Sequence, residues 1–247
     1  MSACRQAVST VARRAIRAWC RWTVAHRLQV EVEGIEHVPV SGPVLIVSRH
    51  FHHLYDGVVY LALVPRQVHI LVALDWAWSR PLRHLMEWAC RLAGWPIVLR
   101  AERLRALALV PGDAAPSAYK PQETIAYLRR GLRDSVDVLR RGDVLVVFPE
   151  AYPNIDPIST PKSDSTSFLP FRSGFVRLAL AAQRDGLTRV AVVPAGLHYS
   201  TGAPWQIRVR FAAPLMCDRR TDSASFVALV EDMVRALSSD VGLTLHH

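Results

Sequence analysis

The sequence predicts a single α/β domain, in which a mostly parallel central sheet is flanked by helices and preceded by an N-terminal amphipathic helix. Strand-like apolar runs alternate along the chain with segments of helical periodicity, an order typical of parallel strands joined by helices. A chain of 247 residues with 51% hydrophobic residues can also bury one substantial core. Because no repeat, low-complexity tract or interdomain linker interrupts this order, we expect a helix over residues 1–28 and one domain over residues 29–247.

The N-terminal segment, residues 7–28, is compatible with a helix that carries arginines at three- and four-residue spacing. It contains no apolar run near the ~20 residues that a membrane-spanning helix needs. Its arginines also lie within the segment, rather than before an apolar stretch as in a signal peptide. Two alternatives remain: a helix that lies on a membrane surface, which Trp19 and Trp22 favour, or a helix that packs on the domain with solvated arginines. The arginines are Arg13, Arg14, Arg17 and Arg21.

The other predicted elements follow from apolar periodicity and from the positions of proline and glycine. Proline and glycine residues within 101–121 predict an irregular insertion there. Strands are predicted at 28–33, 44–47, 67–73, 97–99, 144–148, 190–193 and 206–211, the last as an edge strand. Helices are predicted from about residue 56 to residue 65, and at 81–92, 122–141, 174–184 and 224–237.

The charge balance indicates an anionic partner. Thirty lysines and arginines stand against 21 aspartates and glutamates, which gives a formal charge of +9. No zinc-ligand spacing and no basic motif interleaved with aromatic residues points to nucleic acid, so we expect an anionic membrane surface. The four cysteines form no Cys-x-x-Cys pair and predict a reduced chain without a disulfide framework or metal site. We therefore expect a peripheral protein on the cytoplasmic face of a membrane. The cysteines are Cys4, Cys20, Cys90 and Cys217.

The most informative segment is 48–57, where three histidines and an aspartate directly follow an apolar strand. A histidine whose second ring nitrogen faces an aspartate is fixed in one tautomer and becomes a better base. His50 comes first after the strand and has five residues between it and Asp56. His52 is the rival, since its i,i+4 spacing places it on the same helical face as Asp56. His53 is a poorer third candidate.

Further polar residues follow other predicted strands. Arg100, Glu150 and Pro194 each come just after an apolar run. Open α/β sheets bind their ligands at the carboxyl ends of the strands. The sequence therefore predicts a ligand site at that edge, next to the histidines.

From about residue 30 to residue 211, the order of these motifs resembles that of the glycerophospholipid acyltransferase family, which includes lysophosphatidate acyltransferases and tafazzin-like enzymes. The resemblance implies a glycerolipid acyltransferase-like fold. The first block ends in His50, and the second is a glycine and an arginine separated by five mostly apolar residues. The matching segments are Pro43 to His50, Gly94 to Arg100, Val146 to Glu150 with Phe171 to Gly174, and Val192 to Gly196.

The resemblance implies an enzyme that moves a fatty acyl group from an acyl-CoA or acyl carrier protein thioester to a hydroxyl of a lipid acceptor. His50 is then the general base and Asp56 orients it. A thioester is already activated, so we expect neither a metal ion nor a cofactor beyond this co-substrate. The residues that the resemblance assigns to substrate binding are Gly94, Arg100, Phe148, Pro149, Glu150, Arg172 and Gly174.

Two departures from the family pattern leave alternatives open. The family has four residues between its histidine and aspartate, where this chain has five. Ala151, Tyr152 and Pro153 stand where the family has Gly, Thr and an Arg associated with the acceptor phosphate. The acceptor is then a lysophospholipid or glycerol-phosphate compound, or a lipid alcohol without phosphate. The alternative function is a non-catalytic, basic, peripheral membrane-binding protein that retains the acyltransferase fold.

Overall fold

A computed structural model describes residues 3–109, 117–158, 160–164, 166–186, 188–200 and 204–239, and confirms the predicted α/β class with an N-terminal helix. This described part contains seven α-helices and nine strands. The helices are α1 (Ala3–Arg27), α2 (Tyr55–Leu63), α3 (Arg80–Ala93), α4 (Ala101–Leu109), α5 (Thr124–Arg140), α6 (Gly174–Ala182) and α7 (Ser223–Leu237). The strands are β1 (Leu28–Glu33), β2 (Val44–Ser48), β3 (Val68–Ile70), β4 (Val72–Ala73), β5 (Ile97–Val98), β6 (Val144–Val147), β7 (Ala191–Ser200), β8 (Trp205–Phe211) and β9 (Leu215–Met216).

The main sheet has the strand order β1-β8-β7-β2-β6-β3, with β9 paired to β7. Only the pairs that β7 makes with β8 and β9 are antiparallel, so the prediction of a mostly parallel sheet is confirmed. The prediction that 206–211 is an edge strand is wrong, because β8 lies between β1 and β7. Its alternating polar residues form ion pairs with β1: Arg208 meets Glu31 at 2.9 Å and Arg210 meets Glu33 at 3.2 Å.

Alternate residues of the central strands enter two apolar cores, one on each face of the sheet. Val44 and Ile46 of β2 pack in the core beneath α1 and α2. Leu45 and Val47 pack in the opposite core, beneath α5, α6 and α7. Because both faces are covered, the strand is a continuous apolar run that ends at the carboxyl edge, where the polar segment begins.

A second sheet consists of β4 and β5 only. The single strand predicted at 67–73 is divided, because β3 pairs with β6 and β4 pairs with β5. The irregular insertion predicted at 101–121 is wrong for its first half, which forms α4. Residues 101–109 are almost all strong helix formers, and the first proline comes only at position 111. Residues 110–116 lie outside the described part, and residues 121–123 form a 3₁₀ turn.

Helix α1 packs on the domain with Cys20 buried, while Trp19 and Trp22 remain half exposed. Arg17 is not solvated as one alternative expected, since its guanidinium donates to the carbonyl of Val64 at 2.5 Å and to that of Arg66 at 3.1 Å. No helix in the described ranges has both the length and the apolar character needed to cross a membrane. The helix therefore combines a packed inner face with an outer surface that exposes both apolar side chains and arginines.

Candidate active site

The site begins where the chain leaves β2. The Nδ1 atom of His50 lies 2.8 Å from Oδ2 of Asp56, which is in the first turn of α2. Carboxylates are stabilised at helix N-termini by the unpaired N–H groups there. The five-residue spacing is therefore compatible with a direct His–Asp contact, because the intervening loop curls around the carboxylate.

Asp56 is fully buried and accepts three further kinds of hydrogen bond. The backbone N–H of Phe51 donates at 2.7 Å, and that of His52 donates at 3.1 Å. The hydroxyl of Tyr199, on β7, donates at 2.6 Å. Burial, together with the neighbouring Asp56, raises the pKa of Tyr199 well above its usual value, which keeps this hydroxyl a donor. The carboxylate is thus held in one orientation.

The contact with Asp56 decides which nitrogen of His50 is available. A carboxylate can only accept, so Nδ1 carries the hydrogen and Nε2 carries the lone pair in the neutral ring. The ring stacks on Phe148 at 4.4 Å between centroids. Its side chain is 17% exposed. The arrangement can remove a proton from a group that approaches Nε2.

His52 is occupied differently. Its Nδ1 accepts from the backbone N–H groups of Leu54 and Tyr55 at 3.2 and 3.3 Å, at the start of α2. Burial, and secondarily the neighbouring His53, lowers the pKa of His52 to about 4. His53 is exposed and its Nδ1 lies 3.2 Å from the carbonyl of Ile155. Both histidines therefore contact Asp56, but in different ways. His50 does so through a ring nitrogen, whereas His52 does so through its backbone N–H.

Glu150 lies beside the histidine with both carboxylate oxygens occupied. Oε1 accepts from the backbone N–H of His50 at 2.9 Å, and Oε2 accepts from that of Leu169 at 2.9 Å. Oε2 also meets Nζ of Lys162 at 2.6 Å. The predicted substrate-binding carboxylate is therefore engaged with the main chain around the histidine.

Sequence reasoning missed Lys162 altogether. Its side chain is fully buried, and Nζ also donates to the carbonyl of His50 at 2.8 Å and to Oδ1 of Asn154 at 3.0 Å. Burial lowers the pKa of Lys162, although Glu150 acts in the opposite direction. The composition offered one signal. Only two of the 30 basic residues are lysines, so a lysine in this arginine-rich chain indicates a position where the smaller ammonium group is required.

Arg100 is tied to a second residue that the sequence did not reveal, the buried Asp75. Its Nε and Nη2 lie 3.0 and 2.9 Å from Asp75 Oδ2, and Arg103 reaches the same oxygen at 3.0 Å. Burial raises the pKa of Asp75, but Arg100 and Arg103 outweigh it and the pKa is lowered. Arg100 also donates to the carbonyl of Ala151 at 3.1 Å and lies over the ring of Tyr152. It therefore links α4 to the segment after β6.

Two further predicted substrate-binding residues are Arg172 and Gly174. Arg172 pairs with Glu102 at 2.5 Å, and Tyr152 donates to the same carboxylate at 3.3 Å. The backbone N–H of Arg172 donates to the carbonyl of Pro149 at 3.3 Å, and Gly174 begins α6. Arg100 and Arg172 are thus both linked by contacts to the segment 148–152, which contains Phe148, Pro149 and Glu150.

Gly94 is placed elsewhere. It ends α3 in a left-handed conformation with φ 74°, before β5 begins, whereas Arg100 follows β5. Its carbonyl lies 2.8 Å from Nδ1 of His69, in the middle of β3. A Cβ atom at this position would lie 3.1 Å from the His69 ring. The close approach to His69 therefore explains why a glycine stands at position 94. This position precedes β5, whereas the other predicted site residues follow strands.

The fold and the His–Asp pair define a class of protein. A family model described as Acyltransferase matches residues 29–198, more than half of the chain, and the chain belongs to this family. In fold it is similar to the crystal structure of the 1-acyl-sn-glycerophosphate (LPA) acyltransferase PlsC from Thermotoga maritima, with a TM-score of 0.55 and 16% identity. That match covers 98% of this chain and 82% of PlsC. No curated protein sequence matches the chain.

Proposed function

We propose that this protein transfers a fatty acyl group from an acyl thioester to a hydroxyl of a lipid acceptor, with His50 as the general base. The observation that carries the proposal is the 2.8 Å contact between His50 Nδ1 and Asp56, which leaves the lone pair on Nε2. Membership of the Acyltransferase family supports the reaction class. The acceptor that PlsC acts on, 1-acyl-sn-glycerophosphate, supports a glycerolipid as the first acceptor to test.

In this mechanism, Nε2 of His50 takes the proton of the acceptor hydroxyl while its oxygen attacks the thioester carbonyl carbon. The tetrahedral intermediate then collapses, the carbon–sulfur bond breaks, and the departing thiolate takes the proton from the imidazolium. Asp56 stabilises the imidazolium between these two steps. General-base assistance of this kind contributes about 10²- to 10⁴-fold to a rate. The thioester is already activated, so the proposed reaction uses no metal ion and no acyl-enzyme.

The two arginines predicted to bind substrate, Arg100 and Arg172, are already paired with carboxylates. Arg100 is bound by Asp75 inside the fold, whereas the Arg172–Glu102 pair is about half exposed. A phosphate group must compete with Glu102 for Arg172, while an uncharged lipid alcohol need not. Both acceptor classes therefore belong in the test, as do both donors, acyl-CoA and acyl carrier protein.

The test is acceptor-dependent thiol release from acyl-CoA and acyl carrier protein thioesters. The acceptors are lysophospholipids, glycerol 3-phosphate and long-chain alcohols. We expect His50→Ala to lower kcat/KM by about 10²- to 10⁴-fold. His52→Ala loses the hydrogen bonds that its Nδ1 accepts from the backbone N–H groups of Leu54 and Tyr55, which costs about 1 kcal/mol of stability, and retains most of the activity. His84→Ala, in an exposed position of α3, is the matched control.

Two results contradict the proposal. Loss of activity with His52→Ala but not with His50→Ala would transfer the base to His52. No acceptor-dependent release from the wild type with any donor and acceptor would favour the non-catalytic membrane-binding protein. Thermal unfolding of each variant separates loss of catalysis from loss of folding.

We further propose that the outer face of α1 rests on an anionic membrane. Its exposed apolar residues recur at three- and four-residue spacing and form one stripe along the helix. Arg14 and Arg21 are exposed on the same helix, where they meet lipid phosphates. The stripe consists of Val8, Val11, Ala15, Trp19 and Trp22.

A further inference from the structure

We propose that Lys162 is a positioning residue for His50: with Glu150 it clamps the histidine main chain, and its charge controls how tightly the imidazole holds a proton. This inference rests on the proposed role of His50 as the base. The two residues are 112 positions apart, and the lysine lies in the long loop between β6 and α6.

The contacts of Nζ determine its protonation state. Its three partners are the carboxylate of Glu150, the backbone carbonyl of His50 and Oδ1 of Asn154. The amide nitrogen of Asn154 donates to two backbone carbonyls, which fixes its oxygen toward the lysine. An ammonium has three donors and no acceptor, so three acceptors match it completely. A neutral amine would direct its lone pair at one of them.

The Lys162–Glu150 pair holds both polar groups of the His50 backbone. The N–H of His50 donates to Glu150 Oε1 at 2.9 Å, and its carbonyl accepts from Lys162 at 2.8 Å. Phe148, two residues before Glu150, stacks on the ring. Main chain and ring are therefore both fixed from the segment that follows β6, in addition to Asp56 from α2.

The Lys162–Glu150 pair has no net charge, and this affects the proton affinity of the His50 imidazole. Without the ammonium, the Glu150 carboxylate is an uncompensated negative charge beside His50 and favours the imidazolium. The backbone N–H groups of His50 and Leu169 still donate to the Glu150 carboxylate in that case. The other titratable or charged groups around the histidine remain unchanged; they are Arg49, His52, His53, Asp56, Tyr60 and Tyr199.

The experiment follows the His50 ring by NMR in protein labelled with ¹³C-histidine, and the His50→Gln variant assigns its resonance. We expect Lys162→Met to raise the pKa of His50 by about one pH unit. Glu150→Gln reverses the sign, because Lys162 then has no counter-charge. The double variant Lys162→Met/Glu150→Gln returns the pKa to its wild-type value. Lys120→Met, the chain's other lysine and an exposed one, leaves it unchanged.

A second readout is the pH dependence of kcat/KM, whose acid limb should move with the NMR value while KM stays constant. A purely structural lysine would lower kcat/KM without moving this limb. An unchanged pKa of His50 in folded Lys162→Met, or a shift that the double variant fails to cancel, overturns the inference. Should Lys162→Met not fold, the downward shift in Glu150→Gln decides the question.

Failure of this inference is distinguishable from failure of the proposed function. The NMR titration needs no turnover, so the predicted shifts without acceptor-dependent thiol release would leave the electrostatic role of Lys162 intact and reject the reaction. Thiol release that depends on His50, without any shift in Lys162→Met, would retain the reaction and reject the role of Lys162.

Discussion

The orientation of His50 depends on a carboxylate that is itself held by residues from two parts of the chain, the loop after β2 and β7. Tyr199 is the most distant of them, 143 positions from Asp56, and its hydroxyl approaches to 2.6 Å. A hydrogen bond to a charged group contributes about 1.5–3 kcal/mol. The precision of the His–Asp pair therefore depends on β7 as well as on the loop after β2.

Tyr199→Phe tests this dependence. The variant keeps the ring, which stacks on Phe51 at 4.3 Å, and removes only the hydroxyl. We expect kcat to fall about tenfold with KM unchanged, because the bond supports a group that acts in the transition state. Tyr60→Phe is the matched control, since the hydrogen bond that it loses is the 2.6 Å bond to Ser48 and not one to Asp56. An equal fall in kcat for both variants would show that only stability is affected.

Ala151 occupies a backbone conformation that favours glycine. Its φ is 65°, and it is the one non-glycine residue with positive φ in the described part of the chain. The left-handed region costs a residue with a Cβ atom about 1–2 kcal/mol. The family pattern has glycine here, so the turn geometry that follows Glu150 is retained with a strained residue.

Ala151→Gly should raise the free energy of unfolding by about 0.5–1 kcal/mol, because relief of this strain exceeds the added entropy of an unfolded glycine. Urea denaturation measures the change. Ala182→Gly, at φ −65° and the end of α6, should instead lower stability by about 1 kcal/mol. A loss of stability in both variants would mean that Ala151 is not strained.

The sequence predicted the candidate base and its partner but not the residues that fix them. His50 and Asp56 lie within one short segment, so their spacing could be compared with strand register and helix geometry. Lys162 and Tyr199 reach the same place from a loop and a strand more than 100 positions away. A loop without periodicity gives no register from which such a contact follows, and the choice between His50 and His52 required the loop's conformation.

Between elements, the buried carboxylate of Asp75 joins the segment after β4 to α4. It is fully buried between Arg100 and Arg103. Removing one partner from a buried charge cluster leaves the others uncompensated, and such changes cost about 3–5 kcal/mol. We therefore expect Asp75→Asn to lower the free energy of unfolding by this amount at pH 7. Asp134→Asn, in an exposed pair with Arg130, should change it by less than about 1 kcal/mol.

The pH dependence of this difference has a defined sign. The pKa of Asp75 is lower in the folded protein than the ordinary value of 3.8, since the two arginines outweigh burial. Its contribution is therefore present above pH 3.8 and is lost as the pH falls through the lowered folded pKa. Urea unfolding at a series of pH values should show wild type and Asp75→Asn converging only below pH 3.8. Convergence near neutral pH would contradict the assignment.

Most elements followed from periodicity, and the errors have local causes. The strand β8 looked like an edge because its arginines alternate with apolar residues, but they pair with glutamates on β1. The apolar run 67–73 looked like one strand because nothing in it marks the point where the chain changes sheets. The prediction missed helix α4 because it extended the irregular structure expected from the prolines and glycine of 111–121 back to residue 101, over a segment of good helix formers.

At the scale of the whole molecule, charge and apolar surface point to the same interaction. In the proposed membrane association, the formal charge of +9 supplies an attraction to an anionic surface over a distance set by the ionic strength. The exposed stripe of α1 would supply the apolar contact of the same proposed interaction. The two contributions are separable, because salt weakens the first and side-chain substitution weakens the second.

The decisive variant is Trp19→Gln/Trp22→Gln. Both indoles are about half exposed, at 49% and 50%, so their replacement should leave folding intact. We expect partitioning onto vesicles with anionic lipid to weaken at least about tenfold, because the apolar area available for insertion is lost. The remaining binding should retain its salt dependence, since the net charge is unchanged. Vesicle sedimentation across a salt series measures both quantities.

The matched control is Ile125→Gln/Leu128→Gln, which removes two exposed apolar residues of α5 instead. If α1 forms the docking face, this control binds vesicles like the wild type. Equal weakening in both variants would indicate non-specific hydrophobic adsorption. Unaltered binding by the tryptophan variant would mean that charge alone holds the protein at the surface, with α1 acting only as a packed element of the domain.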